Sequence, residues 1–319
     1  MATFIGLGEG LVRLSPPDHQ RIEQANMFEV QIGGAELNVC VALSRLGIEA
    51  AWISKLTNNP IGRLITNRAR QYGVDVSRVV WTDAGRVGLY FFELGSTPRA
   101  NAVIYDRAHS AINTLNADEL DWEFISRAKV MHLTGITPAL SSSARQLVKE
   151  IVARLKGLDV LLSFDVNYRG RLWTVEEARR TLLELLPSVD FLFVTLEDAK
   201  AVIGLNGTPE EIVKQLRKEF ARVVAMLTFS EGGAMACHDG STVYYQPPYE
   251  LTVVDRLGAG DAFVAGAIYG WLNGASWEKC LANAVAMAAF KCTIPGDFAI
   301  VEISELETLL SKSAIAVRR

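Results

Sequence analysis

The sequence predicts an α/β fold with a mainly parallel central sheet, helices on both of its faces and a small separate β-sheet. Three observations carry this expectation. From Lys129 onward, nearly continuous apolar runs alternate with helical stretches, the pattern of a parallel sheet covered on both sides. Two stretches, about residues 11–33 and 86–107, have alternating or turn-rich patterning outside that alternation and suggest a second, smaller sheet. Two glycine-rich turns, Gly33-Gly34 and Gly258-Ala259-Gly260, each lead from an extended run into a helix of small and apolar residues, placing candidate ligand loops at strand ends.

Half of the 319 residues are apolar, enough for one large α/β domain with an accessory piece, so residues 1–319 read as a single unit. A net charge of −4 offers no basic field for nucleic acid or an anionic membrane, which leaves small molecules as the expected partners. The start, MATFIGLGEGLVRL, has no basic segment ahead of its apolar residues, and no stretch is long and uncharged enough to cross a bilayer. A cytoplasmic protein is expected. Cys40, Cys237, Cys280 and Cys292 are scattered and the four histidines form no cluster, so free thiols are expected and neither zinc nor a disulfide framework is suggested.

Thr3 to Leu7 is a short apolar strand ending in Gly6-Leu7-Gly8-Glu9-Gly10. Leu11 to Ser15 then reads as another strand and Pro16-Pro17 as a turn, where a dinucleotide site needs a helix, so nicotinamide binding is rejected. Met27 to Ile32 is a further strand, and Gly33-Gly34 opens a helix over Val39 to Leu46. The paired glycines either let a polar ligand approach the backbone opposite Asn38 or form a tight turn with a capping Asn. Ala51 to Lys55 is a strand, and Asn59-Pro60-Ile61-Gly62 leads into an amphipathic helix from Arg63 to Tyr72, closed by Gly73. Gly88 to Glu93 and Ala102 to Tyr105 are strands joined by the hairpin residues Gly95 to Arg99.

Beyond Lys129, strands are predicted at Val130 to Leu133, Val160 to Val166, Phe191 to Thr195 and Val223 to Thr228, and helices at Ser141 to Leu155, Val175 to Leu186 and Trp277 to Lys291. Asp165, Asn167, Arg169 and Arg171 gather at one strand end, a polar cluster that a purely structural loop does not need, although Asp165 can also be read as a cap. Leu251 to Val254 is strand-like, and Gly258-Ala259-Gly260-Asp261 turns it into a helix reaching Leu272. Two glycines around an alanine aim successive N–H groups at one point, and the helix adds its positive end, together an anion cradle. Asp261 then stands where it can accept a proton from an attacking hydroxyl; on the residues alone it can equally be a helix cap.

The run DRLGAGDAFVAG resembles the C-terminal signature of the ribokinase-like (PfkB) carbohydrate kinases, and GGAELNVCVALSRLG is similar to their N-terminal signature. The resemblance extends from Gly6 to about Leu310. It implies a ribokinase-like three-layer α/β/α fold whose small sheet is a lid over the sugar, a homo-oligomer formed through that lid, and phosphoryl transfer from ATP with Mg²⁺; it leaves a monovalent cation open. By it, Gly258, Ala259 and Gly260 form the anion hole, Asp261 is the base, and Gly33, Gly34, Asn38 and Asp297 hold the sugar. Asn167, Thr195, Thr228, Ser230 and Gly233, with Gly258 and Gly260, meet the nucleotide, and Asn283 lies beside the purine. Thr195-Leu196-Glu197-Asp198 stands where the family has Asn-x-x-Glu, which makes Asp198 an indirect magnesium residue, and Ser230 replaces the first glycine of the nucleotide loop.

The stretches TPRANAVIYDRAHSA and FDVNYRGRLW look most like 2-keto-3-deoxygluconate kinases. That resemblance assigns Tyr90, Tyr105 and Arg107 to a keto acid and Arg169 to its carboxylate, which a planar guanidinium grips with two hydrogen bonds. The implied reaction is phosphorylation of 2-keto-3-deoxy-D-gluconate on its 6-hydroxyl. A fructose or nucleoside kinase is the alternative within the class, and two guanidiniums argue against a neutral sugar. A sugar-acid sensor without turnover is the alternative outside it, and the intact GAGD argues against that.

Overall fold

In the computed structural model, which describes residues 2–229 and 232–317, the strands are β1 (Phe4–Leu7), β2 (Leu11–Ser15), β3 (Glu29–Gly33), β4 (Ala50–Ile53), β5 (Lys55–Thr57), β6 (Val80–Thr82), β7 (Gly88–Glu93), β8 (Ala102–Asp106), β9 (Val130–Thr134), β10 (Leu161–Asp165), β11 (Phe191–Thr195), β12 (Val224–Phe229), β13 (Gly233–Cys237) and β14 (Val243–Gln246). The helices are α1 (Ala35–Arg45), α2 (Pro60–Gln71), α3 (Trp122–Ile125), α4 (Ser142–Leu155), α5 (Val175–Leu185), α6 (Leu196–Asp198), α7 (Pro209–Glu219), α8 (Ala259–Leu272), α9 (Trp277–Cys292) and α10 (Ile303–Val317).

The central sheet runs β14-β13-β12-β11-β10-β9-β1-β4. It is parallel from β4 to β12, and β13 and β14 add an antiparallel edge. Alternate residues of each parallel strand enter different cores: Ile5, Met131 and Leu192 pack with α4, α5 and α7 on one face, whereas Phe4, Val130 and Phe191 pack with α1, α8 and α9 on the other. A strand buried on both sides must be apolar in both registers, which is why these runs read as continuous. Polar caps start the flanking helices. Thr174 and Glu177 form a reciprocal capping box on α5, Thr208 and Glu211 another on α7, and Asn59 accepts from the N–H groups of Ile61 and Gly62 on α2.

The small sheet has the order β3-β2-β7-β8, drawn from the two expected stretches. β2 pairs antiparallel with β3 and parallel with β7, and β7 and β8 form the hairpin. β5 and β6 form a separate parallel pair.

Three sequence expectations are corrected. α1 starts at Ala35, directly after Gly34, and not at Val39. α2 begins at Pro60, because Pro fits the first helical turn that Asn59 caps. Residues 251–254 are irregular and mostly exposed; the N–H groups of Val254 and Asp255 donate to Cys292 O at the end of α9 and not to a neighbouring strand. Ser230 lies outside the described residues. All four cysteines are free thiols.

Candidate active site

The site is built on the start of α8. Gly258 is its N-cap with φ of 84°, and a Cβ there would lie 2.0 Å from Asp297 O, so only glycine lets this turn rest on the loop before residue 298. Asp261, in the first turn, is buried, and its Oδ2 accepts a hydrogen bond from Asn38 Nδ2 at 2.7 Å. Asn38 is delivered by α1, whose N-cap Gly34 has φ of 149°; a Cβ at Gly34 would meet Glu9 O at 2.2 Å. Burial pushes the Asp261 carboxyl up to about 7, opposed by the Asn38 bond and the Arg169 charge and reinforced by Asp297 and Glu36.

A narrow polar cavity opens on Asp261, with Gly34, Asn38, Tyr90, Tyr105, Arg107, Arg169, Gly258 and Asp297 in its wall. Asp297 accepts from Tyr90 Oη at 2.5 Å and Arg13 Nη1 at 2.9 Å, and Arg13 also reaches Asp255 at 2.7 Å. Gly33 must lack a side chain because its Cβ would lie 2.2 Å from the Asp297 carboxylate. Glu36, fully enclosed, accepts from Thr134 N at 3.2 Å, Thr134 Oγ1 at 2.8 Å and Thr137 Oγ1 at 2.9 Å, and burial raises its pKa.

The two expected guanidiniums differ. Arg107 lines the cavity, but its Nε donates to Glu9 Oε2 at 2.8 Å, its Nη2 binds the same oxygen, and the Ser110 hydroxyl donates to Oε1. Its charge is therefore matched internally, and it is not a free anchor for a carboxylate. Among the described residues, the Arg169 guanidinium makes no hydrogen bond or ion pair, although it lies near enough to Asp165, Asp198 and Asp261 for its charge to oppose the rise that burial gives their pKa values.

A wider groove, about 810 Å³, lies on the other side of the same turn and is lined by Thr228, Gly233, Arg256, Ala259, Gly260, Phe263, Val285, Ala288 and Ala289. Gly258 and Asp261 face the cavity and Ala259 and Gly260 the groove, so one helix turn separates two compartments. A Cβ on Gly260 would meet nothing within 4 Å.

Asn283 is buried between α8 and α9, where a Cβ on Gly270 would come 2.9 Å from its Nδ2; it is not in the groove wall, which α9 supplies through Val285, Ala288 and Ala289. Asn167, with φ of 40°, donates to Asp165 Oδ2 at 3.1 Å. Thr195 caps α6 by accepting from Asp198 N at 3.0 Å, and the Asp198 carboxylate accepts from Tyr168 N at 3.3 Å. Among the described residues no group of three or more His, Cys, Asp or Glu side chains is placed to hold a metal ion, so Asp198 belongs to no protein cage. Glu9, Arg13 and Glu36 are site residues that the sequence reading did not select; the signals were a Glu set between glycines and a Glu at the start of a mostly apolar helix. Asp165, beside Asp261, is pushed up to about 8 by burial and then by the Asp261 charge.

The profile described as "pfkB family carbohydrate kinase" matches residues 3–303. The chain is 41% identical over 309 residues to 2-dehydro-3-deoxygalactonokinase of Haloferax volcanii, covering 97% of this chain and 96% of that protein. It is 31% identical to 2-dehydro-3-deoxygluconokinase of Thermoproteus tenax, covering 93% and 90%. Among solved structures, it is similar to 2-dehydro-3-deoxygluconokinase from Thermotoga maritima, with a TM-score of 0.91 at 35% identity, covering 98% of this chain and 100% of the other.

Proposed function

Because the chain belongs to the pfkB family of carbohydrate kinases, we propose that it transfers the γ-phosphoryl group of Mg·ATP to the primary hydroxyl of 2-keto-3-deoxy-D-gluconate, giving the 6-phosphate. The observation that carries this reading is the turn shared by the two compartments, with Asp261 on the cavity side and Gly260 on the groove side. A sugar acid in the cavity and a nucleotide in the groove then meet across one helix N-terminus. The names of the Haloferax, Thermoproteus and Thermotoga relatives support a sugar acid of this type.

In this reading Asp261, with its pKa near 7, takes the proton of the attacking hydroxyl, and Asn38 holds the carboxylate at the required angle. The N–H groups of residues 258–260 and the positive end of α8 face the transferring phosphoryl group and spread its developing charge. Arg169 binds the substrate carboxylate, and Tyr90, Tyr105 and Asp297 bind its oxygens. Among the described residues no carboxylate cage is formed; a magnesium ion bound with the nucleotide near Asp198 would neutralise charge on its phosphates. The small sheet closes over the cavity and keeps water from the phosphoryl donor. Its two edge strands, β3 and β8, expose Val30 and Ile104, which fits pairing with a second copy. No described helix is long and apolar enough to cross a membrane, and the cytosol is the compartment that supplies ATP.

The test is ADP release with Mg·ATP against 2-keto-3-deoxygluconate, its galactonate epimer, fructose, ribose and adenosine. Turnover confined to the keto acids, with the gluconate form preferred, is expected. A preference for the galactonate epimer would revise the substrate, a preference for a neutral sugar would remove the role of Arg169, and silence across the panel would favour a sensor.

A further inference from the structure

The polar cluster after β10 ends in a short turn that the reaction described above uses only through Arg169. Tyr168 and Trp173 anchor this turn: Tyr168 N donates to Asp198 Oδ2 at 3.3 Å, Tyr168 Oη donates to Trp173 O at 3.2 Å, and Trp173 is buried. Between them Leu172 N donates to Arg169 O at 2.9 Å, which folds Arg169, Gly170 and Arg171 into an exposed tip. Arg169 lines the cavity, whereas Arg171 reaches the small sheet, its Nη1 donating to Val103 O on β8. β8 is an outer strand of that sheet. Its side chains alternate: Val103 packs against the cluster of Leu11, Tyr90 and Phe92, Tyr105 lines the cavity, and Ile104 turns to the other face and is exposed. The inner strands are held to the core by buried pairs, β2 through Arg13 with Asp255 and Asp297, and β7 through Tyr90 with Asp297. The outer strand is held by an exposed guanidinium, a bond that weighs only a few-fold to about tenfold in an equilibrium. A link of that size suits a part that must open and close at each turnover.

We propose that Arg171 is a positioning residue that ties β8 to the turn carrying Arg169, so that an acid held by Arg169 keeps the small sheet down over the cavity and the phosphoryl group passes to the sugar and not to water. In the failed event the oxygen of a water forms the new bond to phosphorus, the bond to the ADP oxygen breaks and the water's proton goes to Asp261, leaving ADP and inorganic phosphate. The effect on coupling rests on the kinase reading; the effect on the small sheet does not.

The experiment compares the parent with Arg171→Ala and Arg171→Lys. ADP, inorganic phosphate and phosphorylated sugar are measured with Mg·ATP and 2-keto-3-deoxygluconate, and amide hydrogen exchange in β8 is followed without ligands. The parent is expected to form ADP and sugar phosphate in nearly equal amounts. Arg171→Ala should release about 3- to 10-fold more inorganic phosphate per ADP and raise KM for the sugar acid by a similar factor. Its KM for ATP and its melting midpoint should match the parent, and its β8 amides should exchange faster. Arg171→Lys, whose ammonium can still donate to a carbonyl, should recover most of the coupling. An alanine variant that keeps the parent's phosphate yield or the parent's exchange in β8 overturns the proposal, whatever happens to kcat or the midpoint. So does a lysine variant no better coupled than the alanine one. A parent that phosphorylates no sugar of the panel sinks the kinase reading; faster exchange in Arg171→Ala then leaves the tie to β8 standing, and unchanged exchange removes it as well.

Discussion

Asp261 combines two properties that normally oppose each other: it is buried, and it must be ionised to accept a proton. With its pKa near 7, kcat/KM should rise as pH increases through about 7 and then level, and Asp261→Asn should abolish that rise. The same substitution should lower kcat by about 10²- to 10⁴-fold while ATP binding, followed by fluorescence or calorimetry, persists. Stability should move in the opposite sense. Burial raises Asp261 and Asp165 above the ordinary carboxylate range, so the folded chain holds protons that the unfolded chain releases, and stability falls as pH climbs from about 4 towards 8. Asp261→Asn should therefore melt above the parent at pH 8 and close to it at pH 4, because the asparagine Oδ1 can still accept from Asn38. A lower midpoint at pH 8 would mean that the carboxylate stabilises the fold. Arg169 separates substrate classes: Arg169→Met should raise KM for the sugar acid about 10- to 100-fold, the range for losing a charge-assisted bond, with little change for fructose.

At the scale of the element, the turn into α8 can be dissected with two substitutions two residues apart. Gly258→Ala places a Cβ at positive φ and 2.0 Å from Asp297 O, so it should cost about 1–3 kcal/mol and lower the midpoint in calorimetry. Gly260→Ala meets nothing within 4 Å, so its midpoint should match the parent while KM for ATP rises, because the new methyl protrudes where the nucleotide would lie. This turn was legible in the sequence because glycine chemistry is local: a tight turn into a helix needs the same residues wherever it occurs. The strand-like run before it was not. Residues 251–254 have the composition of a strand, but their N–H groups meet the end of α9, and no local pattern reveals that absence of a ladder. The place of Asn283 is hidden for a related reason, since only the packing of α9 on α8 decides which of its faces reaches the groove.

Over the whole molecule, what the sequence conceals is pairing at a distance. Arg107 reads as an open guanidinium until Glu9, 98 residues away, is seen to neutralise it. Glu36 is likewise explained only by Thr134 and Thr137. The architecture itself was readable, because continuous apolar strands and two out-of-pattern stretches follow from burial on two faces and on one. The exposed edges of the small sheet belong to this scale too. Ile104→Lys on β8 should shift the protein to a smaller species in sedimentation with its melting midpoint unchanged, and an unaltered sedimentation coefficient would exclude this edge as a contact between copies.

The bond between Asn38 and Asp261 joins residues 223 positions apart, and that separation bears on how the protein is made. β9, β10, β11 and β12 pair with their successors in the chain, so this part of the sheet can assemble as it leaves the ribosome. The cavity cannot, because its walls also need Asp261 and Asp297. A nascent chain thus carries a nearly finished scaffold with no place for substrate until its last tenth has emerged, and a fragment ending before α8 should stay inert until a separately supplied C-terminal piece completes it.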